Sequence, residues 1–190
     1  MNDTRFAFAD ARIRAMEADL LTPAMVEQML GMQDTRECLE FLRAHGWQIG
    51  EGGSDPHRLV AAESERLWRD VEELLPEAGL LDALLIPNDF HDLKAALKAL
   101  VSGETAERFF VRPTTLDLDA LFGILAEKRY DELPPSMAEA AEQCYDILTS
   151  TGDGQRAEMI LDRACLVALR DAAGKSGSEL IERYAAWTAA

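Results

Sequence analysis

The sequence is poor in positive charge. Lysine and arginine number 19 against 35 aspartate and glutamate residues, which leaves a formal net charge of −16. A surface of that sign repels nucleic-acid phosphates and anionic lipid headgroups. We therefore expect no direct binding to nucleic acid or to a bare membrane, whereas a basic protein partner remains compatible with the charge.

Cysteines and long apolar runs are also scarce. Cys38, Cys144 and Cys165 stand far apart and form no CxxC pair, which is typical of free thiols in a reducing cytosol. No stretch approaches the ~20 apolar residues that cross a bilayer. The first residues lack the basic-then-apolar order of a signal peptide. These features predict a cytoplasmic chain that is not inserted in a membrane.

The 190 residues suffice for one large domain or two small ones. Apolar residues recur at the three-to-four spacing of helices almost throughout, so we predict an all-α helical bundle. Thr22 and Pro23 form a helix start, because threonine caps and proline fits the first helical position. Pro87 is expected to kink or restart a helix, with Asn88 as the new cap. Only residues 109–111 have strand character.

A faint internal echo relates the run at residues 12–16 to that at 92–96. It predicts two quasi-repeated helical units, 1–87 and 88–190. The last helix carries Leu180, Ile181, Tyr184 and Trp187 at the spacing of one buried stripe. Because that stripe still runs at the end of the sequence, we expect Tyr184 and Trp187 to need cover, and we interpret the chain as cut within a larger protein.

The strongest candidate for chemistry is the pair His91-Asp92. Helical metal-dependent phosphohydrolases use such a pair with a distant histidine and aspartate, for which His57 and Asp146 are available. Metal sites need three or more converging ligands, and the chain has three histidines in all. A histidine in a local hydrogen-bond network is therefore the favoured interpretation. No Ser/His/Asp or Cys/His signature is present, so we assign no catalytic, cofactor or metal residue.

Three stretches carry a resemblance to a known family. The first is residues 11–22, Ala-Arg-Ile-Arg-Ala-Met-Glu-Ala-Asp-Leu-Leu-Thr, and the second is residues 88–94, Asn-Asp-Phe-His-Asp-Leu-Lys. The third covers residues 118–148, with Tyr-Asp-Glu-Leu-Pro at 130–134, followed by Leu-Asp-Arg at 161–163. In this order they resemble the rotor-cap subunit of V-type ATPases, known as the C subunit in prokaryotes and the d subunit in eukaryotes. Asp92 stands where that family usually has asparagine.

The resemblance implies a non-enzymatic, all-α part of a rotary machine. Such a subunit sits on the cytoplasmic side, between the central stalk and the membrane ring of proton- or sodium-carrying subunits, and reaches the membrane only through the complex. Family members continue into a third helical repeat, so the resemblance implies the first two of three. The motif-bearing candidates for partner contact or signature are Arg12, Arg14, Asn88, Asp89, Phe90, His91, Leu93 and Lys94.

Two other functions stay open at this point. One is the helical phosphohydrolase built on His91 and Asp92. The other is an unrelated helical module that binds protein through an acidic face.

Overall fold

A computed structural model describes residues 6–48, 55–75 and 81–189. Within those ranges the chain forms nine α-helices, two short 3-10 turns and no strand, which confirms the predicted all-α class. Residues 109–111 end a 3-10 turn and continue as an irregular segment. The helices are α1 (Ala7–Glu17), α2 (Pro23–Leu30), α3 (Thr35–Ala44), α4 (Pro56–Leu74), α5 (Asp82–Ser102), α6 (Leu118–Ala126), α7 (Pro135–Thr151), α8 (Gly154–Ser176) and α9 (Glu179–Thr188).

The chain divides into two compact units, residues 1–79 and 80–190. The boundary expected at residues 87 and 88 falls inside α5. That the units are quasi-repeats stays a prediction.

The first unit holds α1 to α4, with helix ends that follow from local chemistry. The Thr22 hydroxyl accepts the Met25 amide at 3.3 Å, and Asp34 accepts the Glu37 amide at 2.9 Å. Each bond satisfies an amide that the first helical turn leaves unpaired. Helix α1 packs on α4, and the Gln48 amide donates to Glu63 of α4 at 2.7 Å. Helix α2 buries no residue, so this unit has little core of its own among its described residues.

The second unit is centred on α5, which contacts α6, α7 and α8. Its apolar face presents Leu93, Ala96 and Leu97, none of which is accessible to solvent. Leu125 of α6 and Leu161 of α8 are equally buried in the same cluster. Because this core packs against α5 along most of its length, the polar residues of α5 are held on a well-anchored helix.

Helix α5 passes through Pro87 without restarting, so the expected restart is wrong. Proline inside a helix removes one hydrogen bond and costs about 3 kcal/mol. Leu85 before it and Phe90 after it are both buried, and this packing holds one continuous helix across the proline. Asn88 does not cap a new helix, because its side chain reaches Pro113 instead.

The last helix divides its apolar residues between two faces. Ile181 is 2% exposed and belongs to a second core cluster with Ala83, Leu169 and Ala173, against which Tyr184 also packs. Leu180 and Trp187 are 71% and 77% exposed. Within this chain Ile181 is buried and Tyr184 is half-buried, whereas Leu180 and Trp187 are not covered. That Trp187 needs cover from elsewhere stays a prediction.

Two neighbouring truncations in α9 test this division. Replacing Ile181 by alanine should lower the free energy of unfolding by about 2–4 kcal/mol, because it leaves a cavity between α5, α8 and α9. Leu180→Ala removes a side chain of equal size from the exposed face and should change it by less than about 0.5 kcal/mol. Urea denaturation of both variants measures the difference, and equal losses would contradict the assigned faces.

Candidate functional site

Within residues 88–94 of α5, the apolar side chains face the core and most of the polar ones face the segment that connects α5 to α6. Phe90 and Leu93 are 3% and 0% exposed and belong to the core. The polar side chains of Asn88, Asp89, His91 and Asp92 instead bind the segment at residues 107–117, between α5 and α6. Residues one, three and four apart on a helix present a broad strip of surface, which lets these four polar contacts follow one crossing segment. We call this set of contacts the α5 clasp.

Asp89 makes the densest contacts of the α5 clasp. Its carboxylate is 4% exposed. One oxygen accepts the Thr114 hydroxyl at 2.5 Å and the Thr115 amide at 2.7 Å, and the other accepts the Thr115 hydroxyl at 2.6 Å. Three donors replace the water that the carboxylate loses on burial, so the charge is stabilised in place. The adjacent Asn88 side chain donates to the Pro113 carbonyl at 2.8 Å.

Asp92 is the less satisfied acid. It is fully buried, and one oxygen accepts the Val111 amide at 2.8 Å. The other oxygen has no hydrogen-bond partner within the described part of the chain. Burial raises the pKa of Asp92. The bond from Val111, the neighbouring His91 and Arg112, and the Thr114 hydroxyl offset only part of that rise. Burial therefore disfavours the charged form of Asp92 in the folded chain, a cost that a neutral asparagine would not have.

His91 is exposed, and its ring Nε2 lies 2.9 Å from the Phe109 carbonyl. One helical turn on, the Lys94 ammonium lies 2.7 Å from Asp162 of α8, and Lys98 pairs with Glu158 of the same helix. These two ion pairs join α5 to α8 at the solvent-exposed edge of their contact. Because Asp162 is well exposed, the Lys94 pair contributes at most about 1 kcal/mol.

The contacts of His91 and Asp92 give both residues a structural role. His91 and Asp92 each hold a backbone group of the crossing segment. Among the described residues, no three His, Cys, Asp or Glu side chains lie together as a metal site requires. Asp146 is exposed on α7, and the side chain of His57 lies outside the described set. The two cysteine thiols of the second unit, Cys144 and Cys165, have pKa values raised to about 11 by burial and are poor nucleophiles.

The remaining candidates, Arg12 and Arg14, lie in α1 of the first unit. Both are exposed. Arg14 pairs with Asp10 of its own helix at 3.1 Å, and it does not bridge to a neighbouring helix. Arg12 has no ion pair within the described ranges. Both guanidinium groups therefore face solvent and can contact another protein.

Sequence reasoning missed the partners of the α5 clasp. Thr114, Thr115 and the carbonyls of Phe109 and Pro113 lie in an irregular segment with no periodic pattern. Only the pair of threonines after a proline marks it, and such a pair is common in loops. The acids could be identified from α5, but their donors required the three-dimensional path of the chain.

Comparison with known proteins gives a consistent result. The sequence profile of a family described as ATP synthase (C/AC39) subunit matches residues 9–189. The C subunit of a V-type sodium ATPase from Enterococcus hirae is 24% identical over 179 residues, which cover 92% of this chain and 55% of the relative. The C subunit of a V-type ATP synthase from Thermus thermophilus is 29% identical over 119 residues, 58% of this chain and 36% of the relative. The chain thus spans about half the length of the E. hirae relative.

Removal of the Asp89 carboxylate tests the α5 clasp. Asp89→Ala should lower the free energy of unfolding by about 3 kcal/mol, because it leaves the Thr115 amide and two hydroxyls without their charged acceptor. Asp162→Ala, which removes an exposed acid from the same unit, should cost less than about 1 kcal/mol. Amide hydrogen exchange at Thr115 should quicken only in the first variant. Equal exchange in both variants would contradict the role given to Asp89.

The raised pKa of Asp92 predicts a pH effect of defined sign. The folded state holds this proton more tightly than the unfolded state, so the Asp92 contribution is most favourable below the unfolded pKa of about 4 and is lost as pH rises through the folded value. An asparagine at position 92 has no charge and keeps an oxygen for the Val111 amide. Asp92→Asn should therefore gain stability relative to the parent as pH rises, by about 1.4 kcal/mol for each unit of pKa shift.

Urea denaturation at pH 3.5, below the unfolded aspartate pKa of about 4, and at pH 7 measures this difference. Asp119→Asn, at an exposed position on α6, serves as the control. A stability difference for Asp92→Asn that does not change with pH would contradict the buried charge.

Proposed function

The chain belongs to the ATP synthase (C/AC39) subunit family, and on that premise we propose that it is a non-catalytic central-rotor adaptor of a V-type ATPase or ATP synthase. In this role it couples the central stalk to the membrane ring that carries protons or sodium ions. The observation that carries the proposal is the family match, which extends over residues 9–189 and includes all eight motif-bearing residues.

A rotor adaptor must pass torque without deforming. The second unit suits this task, because α5 is held to α8 by core packing and by the Lys94 and Lys98 ion pairs. The α5 clasp also fixes the irregular crossing segment, which would otherwise be the softest part of that unit. Close-packed helical cores transmit displacement with little compression.

The signature residues of α5 act in this proposal as structure and not as chemistry. Asp89, Phe90 and Leu93 are at most 4% exposed, so they cannot contact a partner directly. Arg12 and Arg14 are exposed, and they are the candidates for contact with neighbouring subunits. No catalytic residue and no cofactor enter the proposal.

The setting follows from the same premise. We place the chain on the cytoplasmic side of the membrane, where it is peripheral and held through the complex. Among the helices in the described part of the chain, none is both long and apolar enough to cross a bilayer. The E. hirae relative is named for a sodium ATPase and the T. thermophilus relative for an ATP synthase, so the proposal includes both ATP hydrolysis and ATP synthesis.

Co-purification from the source membranes tests the proposal. The tagged chain should retain the central-stalk and ring subunits, identified by mass spectrometry and chemical crosslinks. Arg12→Glu/Arg14→Glu should lower the retained amount by roughly tenfold, because rim charges govern association more than stability. The control, Arg36→Glu/Arg43→Glu, makes the same charge change on exposed α3 positions and should retain both sets of subunits.

A different set of results would contradict the adaptor proposal. Retention of neither stalk nor ring subunits, together with a stoichiometric metal and a phosphatase activity that His91→Ala abolishes, would replace the adaptor by the helical phosphohydrolase.

A further inference from the structure

Helices α8 and α9 form the two walls of a solvent-open groove of about 650 Å³, which we call the α8–α9 groove. The α8 wall runs from Met159 to Gly174, a rise of about 22 Å, or four helical turns. The α9 wall is built of small residues, among them Ala185 and Ala186. Small side chains let another backbone approach closely, so the groove has the length and depth that suit a helix.

The charge of this region differs from that of the rest of the chain. Although the whole sequence carries −16, residues 154–189 are neutral. Their five basic and five acidic residues are Arg156, Arg163, Arg170, Lys175 and Arg183 against Glu158, Asp162, Asp171, Glu179 and Glu182. The absence of net charge here removes the long-range repulsion that the rest of the chain exerts on an acidic partner. Met159 and Val167 on the α8 wall are 64% and 42% exposed.

Two arginines on the α8 wall define what the groove can accept. Arg163 and Arg170 both line it and lie seven residues apart, about 10.5 Å along the helix. Neither forms an ion pair within the part of the chain that the structure describes. The nearby Asp162 is already held by Lys94, and Glu182 lies on the opposite, α9 wall. The α8 wall therefore presents two arginines that form no ion pair among the described residues, beside an apolar floor.

We propose that the α8–α9 groove is a docking site for an amphipathic helix of a protein partner, with an apolar stripe flanked on one edge by two acidic residues seven positions apart. The apolar stripe covers the small-residue floor, and the two acids meet Arg163 and Arg170. The acidic edge of the partner helix is set by the local positions of Arg163 and Arg170 on the α8 wall, and the net charge of −16 disfavours an anionic lipid surface as the occupant.

A pair of synthetic helices tests the proposal on the full chain. Both are 18-residue, end-capped, fluorescein-labelled peptides with one leucine and alanine stripe, and they differ only at two edge positions seven residues apart. One peptide carries glutamate there and the other lysine. By fluorescence anisotropy the glutamate peptide should bind roughly tenfold more tightly, as expected for two complementary rim pairs.

Charge reversal in the protein completes the test. Arg163→Glu/Arg170→Glu should reverse the order of the two peptides. Arg156→Glu/Arg183→Glu changes the net charge equally at positions off the groove and should keep the original order. Thermal melting verifies that the variants fold, and Arg163→Gln/Arg170→Gln, which should abolish the preference, replaces the reversal if the glutamates unfold the chain.

Several results would overturn the proposal. These are binding of neither peptide at millimolar concentration, equal binding of both, or reversal in the off-groove control as well. Sedimentation that shows a dimer dependent on Arg163 and Arg170 would assign the groove to a second copy, and arginine-dependent binding to phosphatidylglycerol vesicles would assign it to a membrane. Since no ATPase subunit enters these measurements, failure here would leave the rotor-adaptor proposal standing.

Discussion

The buried carboxylate of Asp89 is the interaction on which the second unit most depends. It carries a charge at 4% exposure, which is tolerable only because Thr114 and Thr115 bring three donors to it. Those donors come from an irregular segment that is not held by the regular backbone hydrogen bonds of a helix. Asp89 and that segment therefore require each other: the acid needs the donors to be buried, and the segment needs the acid to take one path between α5 and α6.

The neighbouring Asp92 is a buried carboxylate whose need for hydrogen-bond donors is met only in part. It occupies the same face and holds the same segment, but only one of its oxygens has a partner among the described residues. The two acids lie three residues apart on one helix, so the difference comes from where the donors of the segment fall. An asparagine would accept the Val111 amide without carrying a charge.

The distribution of charge and packing separates two kinds of surface in this chain. The acidic excess lies outside residues 154–189, where it selects against anionic partners. The surface of α8 and α9 has no net charge, and it combines apolar side chains with two arginines that form no ion pair among the described residues. Family membership accounts for the helical body and its signature, whereas the α8–α9 groove is a separate property that follows from its own walls.

The sequence by itself determined the helical class, the start of α2 at Thr22 and Pro23, and the residues of the signature. Periodicity and a local cap such as Thr22 act over a few residues, so they can be read without the fold. The tertiary structure decided the rest. Pro87 lies inside one helix because burial on both sides outweighs its cost, and Trp187 is exposed while Ile181 is buried because α5 and α8 cover only one face of α9. The roles of Asp89 and Asp92 depended on donors 19 to 26 residues away, whose positions no local pattern records.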